Sequence, residues 1–91
     1  MELEILLHFG LKNQLKKFNE ECYELVESIL ENNREHIIEE MADVLFLINQ
    51  FKALYEITDD NLVPVMEYKR DRTLNRIESR YYERKTSIWN F

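Results

Sequence analysis

Two groups of carboxylates stand out by residue type and spacing. Glu20-Glu21-Cys22-Tyr23-Glu24 is followed, after a further fourteen-residue stretch, by Glu39-Glu40-Met41-Ala42-Asp43. Within each, one pair is spaced i, i+3: Glu21 with Glu24, and Glu40 with Asp43. On a helix such a pair projects from one side, and two like charges there weaken a bare helix by a few tenths of a kcal/mol. Placing both pairs beside apolar stripes adds a desolvation cost. A divalent cation offsets both terms. Mg²⁺ in particular takes carboxylate oxygens and keeps waters and substrate phosphates as its other ligands. A plainer reading is two solvated acidic faces, since charged side chains are mostly exposed. Lys17, one turn before Glu21, would then supply a counter-charge. A di-iron carboxylate bundle would require Glu-x-x-His on two helices, and neither His8 nor His36 has a Glu three residues before it.

A second chemical group lies further along the chain. Lys69, Arg72 and Arg76 recur at i, i+3, i+7, with Arg80 extending the same side. Such a stripe either pairs with acidic helices or binds phosphate, where Arg forks two oxygens and Lys acts as a point charge. With a cation suggested nearby in sequence, phosphate binding is the expected role for Lys69 and Arg76; Arg72 lies further round the helix. Tyr81, Tyr82, Trp89 and Phe91 could stack on a base, although such residues more often pack a tail onto a bundle. Cys22 falls on an apolar line and reads as a small core residue.

These residues need helices to hold them. Leu3–Phe9 is a short apolar stretch broken by Gly10. A first long helix is expected from about Leu11 to Glu31, with Leu11, Leu15, Phe18, Cys22, Leu25 and Ile29 forming its apolar face. Asn32-Asn33 ends it. A second runs from about Arg34 to Ile57, and its Val44–Ile48 segment is apolar all round, as in a helix enclosed by others. Thr58-Asp59-Asp60-Asn61 opens a third, with Pro64 expected in or next to its first turn and the helix reaching about Glu83. The expected fold is all-α: three long helices plus a short N-terminal one, in a single domain over 1–91. Three helices cannot cover the Val44–Ile48 perimeter, so the bundle is expected to be completed by a homo-oligomer, a dimer or tetramer.

The order and spacing Glu20-Glu21-x-x-Glu24, then Glu40-x-x-Asp43, resembles the EExxE…ExxD signature of the MazG-like nucleoside triphosphate pyrophosphohydrolases. Gln14 with Lys17, Ala42-Asp43-Val44, and the run Lys69, Arg72, Arg76, Ile77 extend the resemblance over about Gly10 to Ile77. It implies an all-α hydrolase that cleaves nucleoside triphosphates to the monophosphate and pyrophosphate. It also implies Glu21, Glu24, Glu40 and Asp43 as Mg²⁺ ligands, with Mn²⁺ as a substitute, and Glu20 as a residue outside the ligand set or one that helps orient water. Lys69, Arg72 and Arg76 would then contact substrate phosphate. The short N-terminal region differs from longer members, where base recognition is concerned. Phosphoribosyl-ATP pyrophosphatases share the chemistry and are the alternative enzyme. A catalytically silent helical interaction module is the alternative from another class.

Composition agrees with this picture. The 91 residues include one Gly, one Pro and one Cys, which disfavours a sheet protein and excludes an internal disulfide. Net charge is −6, against a nucleic-acid partner. The charge is divided: residues 1–68 hold five basic and fifteen acidic residues, whereas 69–85 hold seven basic and three acidic. No run approaches the ~20 apolar residues of a membrane span, and an acidic N-terminus does not resemble a signal peptide. A cytoplasmic location is therefore expected.

Overall fold

A computed structural model of the chain describes residues 1–79, and these form four helices with no strand among them: α1 (Glu2–Phe9), α2 (Leu11–Leu30), α3 (Arg34–Tyr55) and α4 (Asp59–Ser79). One short and three long helices follow the expectation from sequence. Arg80, Tyr81, Tyr82, Trp89 and Phe91 lie outside the described residues.

The corners follow from local chemistry. Between α1 and α2, Gly10 sits at φ 87, a left-handed geometry that a Cβ would strain. Its N–H closes α1 on the carbonyl of Leu6 at 2.8 Å, and Asn13 Nδ2 donates to the carbonyl of Phe9 at 2.8 Å. Between α2 and α3, Asn32 takes up left-handed geometry at φ 57. Asn33 caps α3, its side chain accepting the His36 N–H at 3.2 Å. Glu56 ends α3 at φ 54. At the start of α4, Asn61 Oδ1 accepts both the backbone N–H and the hydroxyl of Thr58. Pro64 is the sixth residue of α4, just past the first turn, as expected. The Asp60 carbonyl therefore has no N–H donor four residues on.

The helices fall into two units: α1, α2 and α3 lie in Met1–Ile57, and α4 in a second that begins at Thr58. In the first, α2 packs on α3, and α1 packs on both. Its fully apolar core is small: Leu6 and Leu47 are the buried hydrophobic residues. The face of α2 turned inward is Gln14, Phe18, Glu21, Leu25 and Ser28, alternating four and three residues apart. This differs from the apolar line read in the sequence. Leu11, Leu15 and Ile29 remain partly exposed, while three polar residues are buried. On α3 the Val44–Ile48 segment is enclosed on one side only: Leu47 is buried, whereas Leu45 and Phe46 are exposed. Ile38, Met41 and Leu45, at i, i+3, i+7, form an exposed apolar stripe.

Candidate metal centre and adjoining cleft

Glu21 on the inward face of α2, with Glu24 one turn further along, comes up against Glu40 of α3. One oxygen each from Glu21, Glu24 and Glu40 lies within 4.8 Å of the others, an arrangement that could hold a metal ion. Glu21 is only 4% exposed, unusual for a glutamate. Its Oε1 accepts from the Lys17 ammonium at 2.9 Å. Its Oε2, like Oε2 of Glu40, is buried without a hydrogen-bond partner. The counter-charge reading of Lys17 thus accounts for half of one carboxylate and leaves two buried oxygens unsatisfied. Orphaned acceptors of this kind are what a cation with oxygen-ligand preference would occupy.

The titration of the cluster reflects this crowding. Lys17 holds the Glu21 carboxyl below its ordinary value, through its hydrogen bond first, against the opposing effect of burial. Glu40 is pushed up to about 7, first by its interaction with Glu21, then by desolvation and by Glu24. Partial burial and the charge of Glu21 raise Asp43. A divalent cation would relieve this crowding and lower the Glu40 carboxyl again.

Asp43 lies beside Glu21 but outside the three-oxygen set, and it joins the wall of an adjoining cleft of about 480 Å³. Glu20, exposed on α2, also lines that cleft. The other groups there include Phe9, Gln14, Lys16, Lys17 and Phe46. Gln14 is buried, and its Nε2 donates to Oε1 of Gln50 on α3 at 2.9 Å. Lys69, Arg72 and Arg76 are exposed on α4, in the second unit. The Arg72 guanidinium lies 5.8 Å over the Tyr68 ring, and the Lys69 carbonyl accepts from the Thr73 hydroxyl.

Sequence reasoning singled out the four carboxylates but missed the cleft and the Gln14–Gln50 pair. Gln50, two residues after an apolar run on α3, was the available signal: a polar residue there needs a buried partner. The aromatic wall carried no such signal, because Phe9 and Phe46 read as ordinary core residues.

Comparison with known proteins agrees with the carboxylate pattern. A model of the MazG nucleotide pyrophosphohydrolase domain matches residues 9–80. Phosphoribosyl-ATP pyrophosphatase 1 of Rhodopseudomonas palustris is 51% identical over 41 residues, a stretch covering 45% of this chain and 38% of that relative. No solved structure gave a significant match. No helix among the described residues is long and apolar enough to cross a membrane. With the family model covering most of its length, the chain belongs to the MazG nucleotide pyrophosphohydrolase domain family.

Proposed function

We propose that the chain is a Mg²⁺-dependent nucleoside triphosphate pyrophosphohydrolase, converting a ribo- or deoxyribonucleoside triphosphate to the monophosphate and pyrophosphate. The observation that carries this is the convergence of Glu21, Glu24 and Glu40, with two buried oxygens left unpartnered. These three hold the cation and Asp43 completes the set from beside Glu21; Mn²⁺ is the expected substitute. Bound Mg²⁺ would neutralise substrate charge and polarise the reacting phosphate. Water attacks the α-phosphorus and its proton passes to Glu20. The bond from the α-phosphorus to the α,β-bridging oxygen then breaks, and pyrophosphate leaves. Lys69, Arg72 and Arg76 supply positive charge for the phosphates.

The reading extends to one domain over 1–91, acting as a cytoplasmic homo-oligomer in clearance of unwanted nucleotides. A second reading, with phosphoribosyl-ATP as substrate, is favoured by the 41-residue match to a phosphoribosyl-ATP pyrophosphatase. A pyrophosphate-release screen with Mg²⁺ over natural nucleotides, damaged nucleotides and phosphoribosyl-ATP separates the two. Release from several nucleoside triphosphates supports the first, release from phosphoribosyl-ATP alone supports the second, and no release from any overturns both.

A further inference from the structure

We propose that the buried hydrogen bond between Gln14 and Gln50 is an alignment lock for the metal centre, holding α2 and α3 in the one register in which their carboxylates meet. Gln14 and Gln50 are thus positioning residues for the cation. The proposal rests on the cation part of the proposed function and is independent of which nucleotide is the substrate.

Residue spacing on the two helices shows the register. A corner of three residues, 31–33, joins α2 to α3, and the two helices pack antiparallel. Gln14 Nε2 donates to Gln50 Oε1 at 2.9 Å. Seven residues along α2 from Gln14 is Glu21, and seven back along α3 from Gln50 is Asp43, which lies beside it. Three residues further on each helix come Glu24 and Glu40, which share the three-oxygen cluster. One alignment therefore satisfies the amide pair and both acidic pairs together. The corner pins one end of the helix pair and the amide hydrogen bond pins the other, with the carboxylates between them.

The carboxylates and the apolar core do not select that alignment. Without a cation, carboxylates brought this close repel one another, which favours slippage or separation of the helices. The buried apolar residues of the unit are Leu6 and Leu47, and apolar contacts tolerate exchange of one partner for another. A slip of one turn moves α3 by about 5.4 Å along α2, more than the 4.8 Å within which the three ligand oxygens gather. Gln14 would then face Phe46 or Leu47 in one direction and Ala53 or Leu54 in the other, and none of these side chains accepts its N–H. The unpaired buried amide makes that slip costly. For stability alone the pair is a poor device, because Gln50 is 0% exposed and its Nε2 has no hydrogen-bond partner. Fixing helix register at a cost in stability is the best-attested use of such buried polar residues. Gln50 also lies outside the lining of the cleft, so its influence on the cation must pass through the alignment.

Changing both residues in the full chain, Gln14→Leu with Gln50→Leu, removes the lock without leaving an unpaired amide. In a chelator this double variant should melt at or above the temperature of the unaltered chain. Its Mn²⁺ affinity, read by paramagnetic titration, should nevertheless fall about tenfold, as when the aligned state drops to about a tenth of the molecules. Gln50→Glu keeps an acceptor for the Gln14 N–H, and should bind Mn²⁺ within about threefold of the unaltered chain although it melts lower. Amide NMR with Mg²⁺ gives a further readout. Shifts should be confined to the carboxylate region in the unaltered chain and run the length of α2 and α3 in the double variant, where the cation restores the alignment. Unchanged Mn²⁺ affinity in the double variant, or a loss matched by a lower melting temperature, would overturn the lock, and this variant decides the matter where Gln50→Glu fails to fold. A folded Gln50→Glu chain that binds as weakly as the double variant would overturn it too. No Mn²⁺ bound by the unaltered chain would overturn the cation site and the lock with it. Absence of pyrophosphate release from every nucleotide would overturn the hydrolase reading alone, with the titrations still deciding the lock.

Discussion

Lys17 Nζ lies 2.9 Å from Glu21 Oε1, one turn away on α2, while the other oxygen of Glu21 accepts nothing. One carboxylate thus takes part in two relationships, an ion pair with a resident ammonium and the three-oxygen cluster with Glu24 and Glu40. The ammonium and an incoming cation compete for the same negative charge. Lys17→Met should therefore destabilise the metal-free chain and tighten Mn²⁺ binding by roughly twofold to fivefold, the scale of a partly solvated ion pair. Paramagnetic titration with Mn²⁺ reads this directly, and weaker binding in the variant would show that Lys17 supports the cation site instead of competing for it.

The proton on Glu40 gives a pH dependence with a definite sign. Its carboxyl is raised from 4.5 to about 7 in the folded chain, so the folded state binds more protons than the unfolded state between those values. Stability of the metal-free chain should consequently fall as pH rises through that window, and Asp43 acts in the same direction. Glu21, lowered by Lys17, has the opposite sign and loses its contribution only as pH falls below its ordinary value. Melting in a chelator across this range should show the decline. Mg²⁺ affinity should rise over the same interval with release of a proton, measurable by calorimetry in buffers of different ionisation enthalpy.

Neutralising the carboxylates separates chemistry from folding. Glu21→Gln, Glu24→Gln, Glu40→Gln and Asp43→Asn should each reduce turnover severely with helical circular dichroism unchanged. Glu40→Gln and Asp43→Asn should leave the metal-free chain as stable or more so, since each removes a charge from a crowded site. Glu21→Gln should not, because it gives up the Lys17 pair. Full activity in any two of the four would remove the metal-site assignment.

How much of this was readable beforehand depended on whether a residue's signal was local. The helices and the Asn32-Asn33 break between α2 and α3 rest on short-range chemistry, and the sequence carried them, whereas the capping of α3 by Asn33 emerges only in the structure. The acidic pairs announced themselves by i, i+3 spacing. Burial did not follow from hydrophobicity on α2, where Gln14, Glu21 and Ser28 turn inward and Leu11, Leu15 and Ile29 stay partly exposed. A polar seam of this kind is selected by partners on α3, as Gln50 is for Gln14, and no window of one helix contains both. Pro64, by contrast, was legible locally: the Thr58–Asn61 cap fixes where α4 begins and leaves the proline next to its first turn.

The exposed stripe Ile38, Met41 and Leu45 gives the oligomer proposal a specific surface. A core of two buried hydrophobic residues is thin for a unit of this length, and covering the stripe with a second copy would add apolar burial. The melting temperature should rise with protein concentration, and Leu45→Glu should abolish that dependence. A monomer at micromolar concentration by sedimentation, with a concentration-independent melt, would set the proposal aside.

The last expectation is the identity of the bond that breaks, which separates the proposed reaction from that of an ordinary triphosphatase. Attack at the γ-phosphorus would leave a diphosphate and inorganic phosphate. Enzymes of that kind commonly cradle the β and γ phosphates in a GxxxxGK[ST] loop, and this chain has one glycine, Gly10, at a helix corner. Three of its carboxylates, Glu21, Glu24 and Glu40, instead converge from α2 and α3, beside a cleft whose Lys16 and Lys17 add positive charge. That arrangement suits a cation near the α-phosphate and a leaving group that is already well stabilised as pyrophosphate. Hydrolysis in ¹⁸O-labelled water should therefore place the label in the nucleoside monophosphate and none in pyrophosphate. Label in pyrophosphate would mean attack at the β-phosphorus, and a diphosphate product would mean attack at the γ-phosphorus. Either outcome would exclude the proposed mechanism even if turnover required Mg²⁺.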